Sequence, residues 1–185
     1  MVFLRKFFRA NTPEGIAKEI TERIAQSSFK IFNDRKFRQL VDFERLKQVE
    51  RDRIFNELVV TGISLAVLMF ETVAQLRKDA KSDFFNELAL ETASRYSNWL
   101  KELGVEKKFT DLWKDLVIMR TDEYRKNYEE HKKEFKVKES NPWIAITAIG
   151  GYTHIRRGNT TPKDPLFFMI IRWLKELAIM ISKSV

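Results

Sequence analysis

Leu58-Val59-Val60-Thr61-Gly62-Ile63-Ser64-Leu65-Ala66-Val67-Leu68-Met69-Phe70 is the most apolar run of the chain, and its flanks decide how it is read. Glu57 and Glu71 bracket thirteen residues, whereas a helix crossing a bilayer needs about 20 predominantly apolar positions. The run therefore reads as the buried centre of a helix over 52–79, with no transmembrane span. The polar residues Glu57, Thr61, Ser64, Glu71 and Gln75 follow one another at steps of four, three, seven and four. On a helix turning every 3.6 residues these steps gather them into one narrow line. That seam faces either water or an internal polar layer, and in the second case it offers carboxylates and hydroxyls to a ligand.

Working outward, three proline-marked helix starts frame the rest. Thr12-Pro13, Asn141-Pro142 and Asp164-Pro165 each put a capping side chain before a proline. Proline suits the first helical position because its missing N–H would find no intrahelical partner there. From Pro13, Ile16, Ile20 and Ile24 make an apolar stripe on a helix running towards Phe32. Asp34 caps a next helix with Phe37, Leu40, Val41 and later Val49 on its stripe, either continuous with the central helix or broken near 50–52. Ser82 or Asp83 opens another, with Phe85, Leu88, Thr92, Tyr96, Trp99 and Leu103 inward and Gly104 as a left-handed stop. Thr110 caps the helix that carries Trp113, Val117, Arg120, Tyr124, Tyr128, His131 and Phe135 along one side. A short helix over 142–149 ends at Gly150-Gly151, a basic Gly/Thr-rich loop occupies 150–163, and an amphipathic helix closes the chain over 164–183.

Composition agrees with this frame. Among 185 residues, only six glycines and four prolines favour long helices, and 44% hydrophobic with 32% charged residues is a globular balance. The expected fold is all-α, a single-domain bundle of about five to seven helices over residues 1–185. The absence of cysteine removes any disulfide framework. With no basic, apolar and small-residue leader pattern, it points to a cytoplasmic setting. The net charge of +8 is uneven: residues 1–50 sum to +4, 51–130 to −2 and 131–185 to +6. A basic contact surface is therefore expected from the terminal regions.

Catalytic chemistry finds little footing. The two histidines do not make the Glu-x-x-His spacing of a di-metal bundle, since Tyr128 and Gly151 stand three residues before His131 and His154. No Gly-x-Ser-x-Gly elbow, phosphate loop or Asp-rich metal loop is present. No catalytic residue, metal ligand or cofactor is assigned, and the protein reads as a non-enzyme. Phe-Asn-Glu-Leu at 55–58 and 85–88, and Trp-Leu-Lys-Glu-Leu at 99–103 and 173–177, are offset by 30 and 74 residues. No single period joins them, so they do not mark a duplication.

Two stretches invite binding. His154, Arg156, Arg157 and Lys163 in the 150–163 region suit an anion, because glycines admit a close backbone approach and guanidinium groups fork onto phosphate or carboxylate. The N-terminal Arg5, Lys6 and Arg9, interleaved with Val2, Phe3, Leu4, Phe7 and Phe8, suit an anionic membrane surface, a partner, or the domain's own core. The leading functional expectation is a helical binding or assembly protein with a protein partner or a second copy of itself. An alternative is nucleic-acid binding, with Arg35, Lys36 and Arg38 joining the basic set. A third is a metal- or small-ligand-binding bundle built on the seam. Thr61-Gly62-Ile63-Ser64-Leu65-Ala66-Val67-Leu68, followed downstream by Asn98-Trp99-Leu100, resembles stretches of small helical subunits of type III CRISPR complexes. The likeness covers well under half the chain, rests on residues common in helices and assigns no family. It implies a small helical subunit of a ribonucleoprotein.

Overall fold

The computed structural model describes residues 12–77, 79, 81–133 and 141–185. These form seven α-helices and one 3-10 turn, with no strand among them: α1 Pro13–Phe32, α2 Arg35–Leu40, the turn Phe43–Arg45, α3 Gln48–Leu76, α4 Lys81–Glu102, α5 Lys107–His131, α6 Pro142–Ile155 and α7 Pro165–Lys183. The three proline starts lie where the caps place them. Thr12 accepts from the Gly15 amide, Asn141 from Trp143 and Asp164 from Leu166.

The central helix is α3, which contacts α1, α4, α5, α6 and α7. Val59, Val60, Ile63, Leu65 and Leu68 are fully withdrawn from water, and each contributes about 1.5–3 kcal/mol on burial. At 29 residues α3 is long and apolar enough to cross a membrane, so the thirteen-residue length of its apolar run is not what makes it a core helix. Its neighbours do that: 78% of its most apolar window is buried against the rest of the protein. Gly62 lets α1 and α7 approach, since a Cβ there would lie 2.8 Å from Ile24 and 3.1 Å from Leu177.

Several boundaries differ from the periodicity. The break before α3 falls at 41–47, where Asp42 adopts a left-handed conformation (φ 54°), and Val49 points to solvent. The N-cap of α5 is Glu106; Thr110 is buried inside the first turn, with its hydroxyl on the Lys107 carbonyl. Gly104 does stop α4 in the left-handed region, φ 84°, with the Val105 amide returning to the Leu100 carbonyl.

The largest correction concerns Gly150-Gly151. They do not end a helix or begin a loop; α6 runs on to Ile155. Their role is close packing. A Cβ at Gly150 would lie 2.1 Å from the Tyr124 ring, and one at Gly151 would lie 2.7 Å from the Thr61 hydroxyl. The connector between α6 and α7 thus begins at Arg156.

Candidate functional site

The α3 seam is an internal line read by α5. The Arg120 guanidinium donates to both Glu57 oxygens, at 2.8 and 3.2 Å. The Thr121 hydroxyl donates to Ser64 at 3.0 Å, and the Tyr124 and Thr61 hydroxyls meet at 3.4 Å. Arg125 forks onto Glu71, with Nε donating at 3.0 Å. Glu57, Thr61 and Ser64 are buried, Glu71 is half-buried and Gln75, at the end of the line, is exposed. Burial raises the Tyr124 hydroxyl above its ordinary value, so it stays protonated. The Glu71 carboxylate beside Arg125 raises that guanidinium above its ordinary value. Each polar side chain of the seam from Glu57 to Glu71 thus has a side-chain partner on α5, and Gly150 and Gly151 of α6 pack closely on Tyr124 and Thr61. Among the described residues no group of three or more His, Asp or Glu is placed to hold a metal ion.

The arginines after α6 are held by carboxylates too. His154, in the last turn of α6, sits with Nε2 at 2.9 and 3.0 Å from the two Glu123 oxygens. Arg156 reaches Asp164, with Nε at 3.0 Å and Nη2 at 2.8 Å. Arg157 forks onto Glu50 and takes a left-handed backbone, φ 52°. Arg53 closes the ring: it donates to the carbonyls of His154 at 2.7 Å and Ile155 at 3.0 Å, and to Glu50. That arginine satisfies the end of α6, where carbonyls lack helical partners. Hydrogen bonds from Arg53 hold Glu50 below its ordinary value against the penalty of burial, and Arg157 adds to the effect. Burial pushes the Asp164 carboxyl up, but the Leu166 amide, the Tyr152 hydroxyl and Arg156 together hold it below its ordinary value.

Of the remaining basic candidates, Arg5, Lys6 and Arg9 lie outside the described residues. Arg38 and Arg51 stack on the Phe43 ring, at 4.4 and 4.5 Å from its centroid. Arg35, Lys36 and Lys163 are exposed and make no ion pair within the described residues. Of the expected anion-binding residues, His154, Arg156 and Arg157 are thus each paired with a carboxylate, and Lys163 is exposed. The interaction of Arg157 with Glu50, across 107 positions, left no signal in the sequence.

A different feature is open. Between α1, α3 and α4 runs a groove of about 520 Å³. One wall is Glu22, Ala25, Gln26 and Phe29 of α1, the other is Tyr96, Trp99 and Leu100 of α4 with Leu103 in the turn that follows it, and Phe55 of α3 lies between them. Both walls repeat at i, i+3, i+4 and i+7, so each presents one continuous helical ridge. Phe29 is 61% and Leu103 63% exposed. The periodicity had placed Leu103 inward, and the structure corrects this: it tops the groove wall. The Phe29 and Phe55 rings meet edge to face at 6.4 Å, and burial pushes the Tyr96 hydroxyl up to about 12. Glu22 is half-buried at the rim and has no ion-pair partner among the described residues. A search of family models, of curated proteins and of solved structures finds no match to the chain.

Proposed function

We propose that this protein is a non-enzymatic helical binding protein that receives an amphipathic helix of a protein partner in the groove between α1 and α4. The carrying observation is the pair of facing ridges, each at i, i+3, i+4 and i+7, with Phe29 and Leu103 exposed and Phe55 between the walls. Two such ridges leave a trough that a third helix fills by ridge-into-groove packing. The guest helix would carry apolar residues on one stripe and a basic residue at the level of Glu22. The cysteine-free composition supports work inside the cell. This reading keeps the expectation of a macromolecular partner but shifts the contact from the basic ends to the groove, since His154, Arg156 and Arg157 are engaged by Glu123, Asp164 and Glu50.

Affinity purification of the full chain from the cells that make it tests the reading. Phe29→Asp and Leu103→Asp should each release a partner that the parent chain retains. Leu90→Asp lies about 20 Å from Leu103 along α4 and outside the groove lining, at a position 72% exposed, and should retain it. Equal retention by all three variants, or loss in Leu90→Asp alone, overturns the proposal.

A further inference from the structure

A second cavity, apart from the groove, gathers the arginines that end and follow α6. We infer that it binds a small organic anion, a carboxylate with a short aliphatic body, on the open edges of Arg156 and Arg157. The cavity has a volume of about 470 Å³ and lies between the end of α2, the first half of α3 and the connector from α6 to α7. Sites for small ligands occupy about 300–1,000 Å³.

The first observation is the edge that each guanidinium leaves open. Arg156 meets Asp164 through Nε and Nη2, and Arg157 meets Glu50 through the same two atoms. A guanidinium carries five N–H donors in a planar fork, so a side-on pair leaves the Nη1 group over. Neither Nη1 makes a hydrogen bond among the described residues. An anion therefore binds both arginines with their carboxylate pairs intact. Those pairs withdraw the arginines from an extended surface, yet they also fix the two side chains before a ligand arrives, which lowers the ordering cost of binding.

The second is the rest of the lining. Arg53, Arg156 and Arg157 stand there with only Glu50 and Asp164 as carboxylates, so a single negative charge completes the balance. Asn159 and Thr161 also line the cavity, and their side chains make no hydrogen bond among the described residues. They supply neutral donors beside the arginines. Opposite these polar groups Val41, Ile54 and Ile155 form an apolar floor, on which an aliphatic body is shielded from water. The third is backbone strain. Asp42, Arg157 and Lys163 are the three non-glycine residues with left-handed backbone among the described residues. Arg157 lines the cavity, and Asp42 and Lys163 adjoin the lining residues Val41 and Asp164. Such strain collects where a structure is shaped around a ligand.

Isothermal titration of the full chain with octanoate, acetate and 1-octanol tests the site. Octanoate should bind saturably at one site per chain, and acetate and 1-octanol should each bind about tenfold more weakly or worse, one lacking the body and the other the charge. Arg157→Gln should weaken octanoate by about tenfold, as the loss of a charge-assisted hydrogen bond does. Asn159→Ala removes no hydrogen bond between described residues and should weaken octanoate by about threefold, so it decides the matter if Arg157→Gln fails to fold. Lys183→Gln, about 27 Å from the start of α7, and Phe29→Asp, in the α1–α4 groove, should leave the affinity unchanged. No saturable octanoate binding, acetate or 1-octanol as tight as octanoate, parent-like affinity in a folded Arg157→Gln or in Asn159→Ala, or a loss in Phe29→Asp each overturn the inference.

Discussion

The Arg120 guanidinium forks onto the Glu57 carboxylate, Nη2 to Oε1 at 2.8 Å and Nε to Oε2 at 3.2 Å, and the two side chains are only 14% and 7% exposed. The pair joins α3 to α5 at the level where Glu123 reaches both Arg120 and His154. Taking two charges out of water costs several kcal/mol, and their attraction recovers that cost only while both are present. Arg120→Met alone should therefore destabilise the protein by about 3 kcal/mol, while Glu57→Met with Arg120→Met should lose far less. Urea unfolding of both single variants and the double gives the coupling. Additive losses would mean that the pair is not a unit.

Gly150 is predicted to be the least replaceable glycine. An added Cβ at 2.1 Å from Tyr124 Cε1 has no ordinary contact to relax into, because Tyr124 is itself fully buried. Overpacking of this kind costs about 1–3 kcal/mol, and Gly150→Ala should fall at or above the upper end. At Gly158 nothing crowds the added Cβ, but φ is 80°. Gly158→Ala should lose only about 1–2 kcal/mol, from left-handed strain. The denaturant midpoint separates the two if the slope is unchanged.

Acid should weaken the start of α7. Asp164, 7% exposed, caps that helix and accepts from Tyr152 at 3.0 Å and from Arg156. Its folded value lies below the ordinary 3.8. The stabilisation is thus fully present above the ordinary value and is lost as pH falls through the folded value. Asp164→Asn keeps a capping side chain but loses the charge. It should be less stable than the parent at pH 7, and the difference should shrink at pH 3. A difference that is constant with pH would show that the charge contributes nothing.

The legible parts of the fold are those whose cause is local. The caps before Pro13, Pro142 and Pro165, the left-handed stop at Gly104 and the apolar centre of α3 each depend on neighbours in sequence. Gly150-Gly151 was illegible because the same pair serves to end a helix or to admit a neighbour, and the choice is made by Tyr124, 26 positions earlier. The seam was visible as a line, but its direction was not, since Arg120, Thr121, Tyr124 and Arg125 also look like an ordinary α5 face. The groove escaped for a related reason. Tyr96, Trp99 and Leu103 have the spacing of core residues, and only the placement of α1 beside α4 leaves Leu103 and Phe29 uncovered.

The docking groove is tested most directly by a photo-crosslinking residue, benzoylphenylalanine, in place of Phe29 in one sample and Leu90 in another. Both positions are well exposed, and they lie on different faces of the α1–α4 pair. Irradiated in the cells that make the protein, the Phe29 sample should crosslink to a partner segment with apolar residues at i, i+3 or i+4, and i+7, while the Leu90 sample should not. Crosslinks of a partner at Leu90 alone, or at Phe29 only to segments without that repeat, would contradict a helix-binding groove.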